Sequence, residues 1–264
     1  MSGTATASTR ATTAPGARPG AVAAFAAVYA GQLARAKVAR GPLLFVASLQ
    51  SLGILLLLRG VVHNDPPRTT SAIVAGSTVL VVAFVALNLL AQRFGALKAN
   101  RALDYYGALP VSAAPVVLGT AASYATFTIP GALLTCVVGV AMYGLSFAQV
   151  WLVVPVVIAS GIALSGLGAA IGLLAPRAEF ATVLGQLAMT AVLFLGVIPP
   201  THLPGAARVA REVVPSMTAV DVLAAGLRGT PSWWGVGWRL AVTVAWGLLG
   251  LVLASRAFRR ACAR

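Results

Sequence analysis

Apolar windows free of formal charge recur along the chain, and arginines close them. Gly41 to Leu58 lies between Arg40 and Arg59, and Thr69 to Gln92 between Arg68 and Arg93. A helix rises about 1.5 Å per residue, so about 20 apolar residues cross a hydrocarbon core of about 30 Å. Each window therefore predicts one crossing. Between Asp104 and Arg177 no charged side chain occurs, a run too long for one crossing, and Met142-Tyr143-Gly144-Leu145-Ser146 supplies a turn near its middle. Phe180 to Pro199 ends at Pro199-Pro200, and Gly235 to Ser255 is entered through Trp233, Trp234 and Trp238, residues suited to a membrane interface. The pattern predicts an all-α integral membrane protein, a single domain over 21–264. Its six transmembrane helices fall at about 41–58, 71–91, 116–141, 150–174, 180–199 and 235–255.

Ahead of these windows the pattern changes. Residues 1–20 are Thr, Ala, Ser, Gly and Pro with two arginines, a composition that predicts a disordered tail. Val22, Phe25, Tyr29 and Leu33 then fall at helical spacing and lead into Arg35, Lys37 and Arg40. This predicts an amphipathic helix over 21–40 lying along the inner membrane surface. A cleaved signal peptide fits less well, because the run starts late and leads through basic residues into another apolar window.

Composition agrees with a bilayer: 264 residues at mean hydropathy +0.92 are 59% hydrophobic and 9% charged. The net charge of +14 would point to nucleic acid in a soluble domain. Here it points to lipid headgroups, and no nucleic-acid partner is expected. Thirteen of the 19 basic residues fall on the side holding both termini and six on the other, so the positive-inside rule predicts cytoplasmic N- and C-termini.

The charged residues also limit the chemistry. Asp65, Asp104, Glu179, Glu212 and Asp221 all lie in connections or near span ends, as do His63 and His202. A proton relay or carboxylate pair inside the membrane is disfavoured, although Na⁺ could still be held by carbonyls and hydroxyls. Cys136 and Cys262 have no metal-ligand spacing and predict no disulfide. A phosphate-binding P-loop needs Gly-Lys-Ser/Thr, but the two lysines, Lys37 and Lys98, follow Ala36 and Leu97. ATP-driven work must be powered by another polypeptide, and no catalytic residue, metal or cofactor is expected on this chain.

The longest cytoplasmic connection runs from Gln92 to Pro110. Read as a helix, it places Asn100 and Asp104 on one face and Arg101 within reach of Asp104, beside Tyr105 and Tyr106. Flat tyrosines beside charge suit a protein interface, and a solvated loop with interfacial tyrosines is the plain alternative. The run Leu103-Asp104-Tyr105-Tyr106-Gly107-Ala108-Leu109-Pro110-Val111-Ser112, followed by Val117-Leu118-Gly119, resembles the cytoplasmic segment of type-2 ABC transporter permeases. Pro199 to Pro204 and Val214 to Asp221 are similar to that family's outer region before its last span.

The resemblance implies a permease subunit that pairs with a second permease copy and with cytosolic ATPase subunits carrying ATP and Mg. It would export a hydrophobic or amphipathic substrate across a bacterial plasma membrane. It implies ATPase docking through Arg93, Lys98, Arg101, Asp104, Tyr105 and Tyr106, with a secondary contact at Arg177 and Glu179. The segment lacks the acidic residue that many members carry near Phe94 to Lys98. Polar residues inside the spans, Gln50, Ser51, Asn88, Gln186 and Thr190, are candidates for a substrate path or for interhelical hydrogen bonds. Small residues in the fourth span, Gly161 with Ser165 and Gly168 with Gly172, predict close helix packing. Residues 200–234 predict short interfacial or re-entrant helices, with Asp221 and Arg228 as a local pair. An ATP-independent transporter or channel and a non-transporting membrane scaffold are the competing functions.

Overall fold

The computed structural model describes residues 20–35, 40–61, 67–103, 105, 112–197, 205, 214–229 and 231–262. The expected tail, apart from Gly20, lies outside them, as do Lys37, His63, Asp65, Asp104, Tyr106, Pro199-Pro200, His202 and Glu212. The described residues contain no strand. The helices are α1 (Ala21–Arg35), α2 (Arg40–Val61), α3 (Pro67–Ala99), α4 (Ala113–Tyr143), α5 (Val150–Leu174), α6 (Ala178–Val197), α7 (Pro215–Leu227) and α8 (Trp233–Cys262).

Five of them, α3, α4, α5, α6 and α8, are long and apolar enough to cross a membrane. Helix α2 is itself 22 residues long, with the apolar stretch Phe45–Gly60 among its described residues. Several helices outrun the predicted windows. At about 1.5 Å per residue, the 31 residues of α4 extend about 46 Å, well beyond a core of about 30 Å.

The bundle is organised around α3, which is enclosed along nearly its whole length, unlike α6 and α8. Its run from Ile73 to Ala91 carries apolar or small residues on every face, the pattern of a helix surrounded by other helices. Hydroxyls are satisfied largely within their own helices: Thr78 donates to the Val74 carbonyl at 2.8 Å, Thr120 to Val116 at 2.8 Å and Ser160 to Val156 at 2.6 Å. Ser51 instead crosses from α2 and donates to the Ser77 carbonyl at 2.5 Å.

Close approach comes from the glycines of α5, as the sequence predicted. A Cβ on Gly168 would strike the Ala86 carbonyl of α3, and one on Gly172 the Ala91 carbonyl. On the other side a Cβ on Gly166 would lie 2.7 Å from the Gly250 carbonyl carbon of α8. These patterns thus bring α5 to α3 and α8 of the same chain. Between Phe84 and Leu89, α3 widens into a π-turn. That turn also separates two apolar cores. One gathers Ile73 to Leu87 with Val140, Val157, Met217 and Leu223; the other gathers Leu90, Phe94, Leu97 and Leu103 with Val117, Leu173 and Phe258.

Helix α1 packs on the beginning of α4, with Ala24 and Gln32 buried. Val28 and Tyr29 lie against Gly119, and the Tyr29 and Thr126 hydroxyls are 3.0 Å apart. Helix α7 is half-length. Its Thr218 hydroxyl meets Thr243 at 2.6 Å, ten residues into α8, while its end at Arg228 reaches Ser71 near the start of α3. It therefore begins about 15 Å inside the bundle and rises to the surface, the re-entrant form.

Gly166→Val should lower the apparent melting temperature by roughly 2–12 °C, because overpacking against backbone costs about 1–3 kcal/mol. Gly161→Ala, whose new Cβ would meet Ala125 at 3.5 Å, should leave it nearly unchanged. Thermal size-exclusion profiles of the detergent-purified chain measure both.

Candidate functional site

Three of the five candidate path residues come together beside the π-turn. Asn88, on α3 and almost fully buried, donates from Nδ2 to Gln186 Oε1 of α6 at 2.9 Å. Gln92, one turn along α3, donates from Nε2 to Asn88 Oδ1 at 2.7 Å. Thr190 donates to the Gln186 carbonyl at 2.9 Å within α6. The result is a chain of amides from inside the bundle to the outward face of α6, where Gln186 is exposed. Gly185 makes this approach possible, since a Cβ there would meet the Ala91 Cβ at 3.1 Å and the Asn88 Cα at 3.2 Å. Gln50 on α2 is half-buried and contributes no hydrogen bond to the chain. Gln92 is the member that sequence reasoning missed. Its i, i+4 spacing from Asn88 was the available signal.

The described members of the candidate docking set gather at the opposite end from the tryptophans. Lys98 donates from Nζ to the Leu173 carbonyl at 3.0 Å and the Ala175 carbonyl at 2.7 Å. Those carbonyls close α5, where a cation is favoured because the last carbonyls have no amide partner within the helix. Lys98 thereby fixes the last turn of α3 against the short turn from α5 to α6. A Cβ on Gly95 would meet the Ala181 Cβ at 2.6 Å, which reflects the same contact. Arg177 and Glu179, both exposed, sit at this turn. The two expected contacts thus share one end of the molecule.

The helical reading of the segment from Gln92 holds only in its first part. Helix α3 ends at Ala99, and Arg101 takes a left-handed conformation with φ 54°. The expected pairing of Asp104 with Asn100 and Arg101 lies outside the described residues, as do Asp104 and Tyr106 themselves. Leu103 returns into the core, and its carbonyl accepts from Cys262 Sγ of α8 at 3.6 Å. Tyr105 is 66% exposed and Arg93 half-buried. Arg256, Arg259 and Arg260 of α8 are exposed at the same end, which is strongly basic.

At the other end Trp151 stacks on Trp233 with centroids 5.9 Å apart, and Trp234 and Trp238 are exposed. Asp221 pairs with Arg239 at 3.0 Å, an interhelical contact, and its charge also acts on Arg228, the residue with which a local pair was expected. Arg228 donates from Nη1 to Ser71 Oγ at 3.2 Å. Burial holds its pKa below the ordinary arginine value; Arg68 and then Arg239 push the same way, and Asp221 opposes them.

A bundle of apolar helices with a basic end and an aromatic end is the shape of a multi-pass membrane protein. A family model described as ABC-2 family transporter protein matches residues 43–256. The chain belongs to the ABC-2 transporter family. No curated protein matches it. The matched region runs from α2 into α8 and includes the amide chain, the re-entrant α7 and the basic end as far as Arg256. Membership makes this chain a membrane transport component of a family whose permeases work with an ABC ATPase subunit.

Asn88→Ala and Gln186→Ala should show a coupling of about 0.5–1.5 kcal/mol in a double-mutant cycle of unfolding, within the range for hydrogen bonds in bilayers. Lys98→Met should cost about 1.5–3 kcal/mol, the net value of charge-assisted bonds. Steric trapping or chemical denaturation in mild detergent measures each.

Proposed function

We propose that this ABC-2 family protein is the membrane-spanning permease of an ATP-driven exporter for a hydrophobic or amphipathic substrate. Both termini would be cytoplasmic and α2 would serve as the sixth span. The observation that carries the reading is the joining of two connections at one basic end: Lys98 ties α3 to the turn bearing Arg177 and Glu179. A surface assembled from both connections gives an ATPase one rigid place to push. Arg93, Arg101, Asp104, Tyr105 and Tyr106 supply the first contact and Arg177 and Glu179 the second, while Lys98 holds the surface together.

The ATPase carries ATP and Mg, because neither lysine of this chain stands in a P-loop. Nucleotide-driven closure of two ATPases displaces the basic ends of two permease copies. The apolar core of Phe94, Leu97, Leu103, Val117, Leu173 and Phe258 passes that movement to α3, α4, α5 and α8 together. Transport requires that the substrate bind the inward and outward states unequally. The exposed Gln186, backed by Asn88, Gln92 and Thr190, gives the path its polar contacts, and a second copy shields that amide from lipid. The excess of basic residues at the docking end supports its placement on the cytoplasmic face of a bacterial plasma membrane.

The test is co-purification from the native membrane. An ABC ATPase should accompany the chain, and Tyr105→Ala with Arg177→Glu should reduce the recovered ATPase at least fivefold without shifting the permease's melting temperature. ATP-independent flux by the chain alone in liposomes would favour a channel instead. Stable expression with neither partner nor flux would favour a scaffold.

A further inference from the structure

A cleft that shares no residue with the amide chain opens between α4, α5 and α8. It is lined by Val117 to Ala125 of α4, Gly161 to Gly166 of α5 and Leu251 of α8, and it holds about 380 Å³ of empty space up to its open side. The cleft exists because side chains are missing where the three helices meet. A Cβ on Gly161 would stand 3.5 Å from the Ala125 Cβ, and Gly166 lies directly against the Gly250 backbone. Between those two contacts only Ala121, Ala122 and Ala125 project from α4, and they are too short to fill the gap. Ile162 on the rim is 37% exposed, as is Val252 next to Leu251 at 44%, so the mouth opens to the surroundings of the bundle.

Ser165 is the single polar side chain in this lining. It is 1% exposed, and its Oγ has no hydrogen-bond partner among the described residues. Ser160 and Thr120, on the same two helices, each donate to the carbonyl four residues back; Ser165 does not. A buried hydroxyl left unpaired bears its desolvation cost, and an acceptor placed in the cleft would relieve it. Water suits the place poorly, because a held water needs about two to four polar partners and the lining offers one polar side chain.

Depth narrows the choice of acceptor. Ser165 stands 14 residues after Trp151 and nine before Leu174, the last residue of α5. At about 1.5 Å per residue it lies about 21 Å from the tryptophan end and about 14 Å from the basic end, within the hydrocarbon core. Phospholipid ester oxygens stay at the edge of that core, and alkyl chains carry no acceptor. A transmembrane helix about 10 Å across is too wide for the space, which falls in the range of about 300–1,000 Å³ typical of small-molecule sites.

We propose that this cleft is a binding site for a lipophilic small molecule that carries a carbonyl-type acceptor within its hydrocarbon, entering from the bilayer and accepting a hydrogen bond from Ser165. The site needs neither ATP nor an ATPase and stands or falls separately from the transport reading.

The probes are a straight-chain C17 ketone bearing a diazirine a few carbons from its carbonyl, and the matched C17 alkane diazirine without the carbonyl. Each is dissolved in phosphatidylcholine nanodiscs holding the purified full-length chain, and peptide mass spectrometry locates the photo-adducts. The ketone should label residues 117–125 and 161–166 saturably, at least about threefold above the alkane, the value of one neutral hydrogen bond. Ser165→Ala should bring ketone labelling down to the alkane level and leave alkane labelling as it was. Ala122→Leu, which fills the cleft, should remove the saturable labelling by both probes without lowering the melting temperature. Equal labelling by the two probes in the native chain overturns the proposal, since hydrocarbon alone would then account for occupancy. Ketone labelling that does not saturate, that survives Ala122→Leu, or that falls in Ser165→Ala only in step with the alkane overturns it too.

Discussion

Between helices already in a bilayer there is little water left to expel, so association depends on how closely backbones approach and on how polar groups are satisfied. Helix α5 meets that requirement on two sides at once. Gly168 and Gly172 let the carbonyls of Ala86 and Ala91 in α3 come close, while Gly166 lies against Gly250 of α8. With α3 held in this way, its π-turn, its amide chain to α6 and its fixed end at Lys98 all take their positions from the same contact.

The π-turn from Phe84 to Leu89 is the point at which the molecule changes character. On one side lies the core that receives the re-entrant α7 through Met217 and Leu223. On the other lies the core that binds Leu103 and Phe258 to the ends of α3 and α5. The polar residues Asn88 and Gln92 sit at and just beyond the turn, and they open toward the exposed Gln186 rather than into either core. Packing and polarity are therefore separated along the membrane normal: apolar contact above and below, amides at the seam.

Much of the architecture could be read along the chain. Helical spacing of Val22, Phe25, Tyr29 and Leu33 anticipated α1, and the charge-free windows anticipated α2 to α6 and α8, because helix length in a bilayer is set by its thickness. The glycines of the fourth span anticipated its packing. After Gln92 the spacing left a helix and a solvated loop both open, and it could not show where the helix stops: α3 runs on to Ala99, and the left-handed turn at Arg101 ends it there. Lys98, given a docking role only by the resemblance, is bonded to two backbone carbonyls at the end of a helix distant in sequence, a partner that no local pattern reveals.

The order of apolar windows and the lack of a P-loop were settled by the sequence alone, because both depend only on residue type and spacing. The tertiary structure decided which polar groups meet. Asn88 finds Gln186 and Arg228 finds Ser71 across 98 and 157 residues. Such pairings depend on the rotation and depth of helices packed side by side, and those follow from contacts among all neighbours rather than from any one segment.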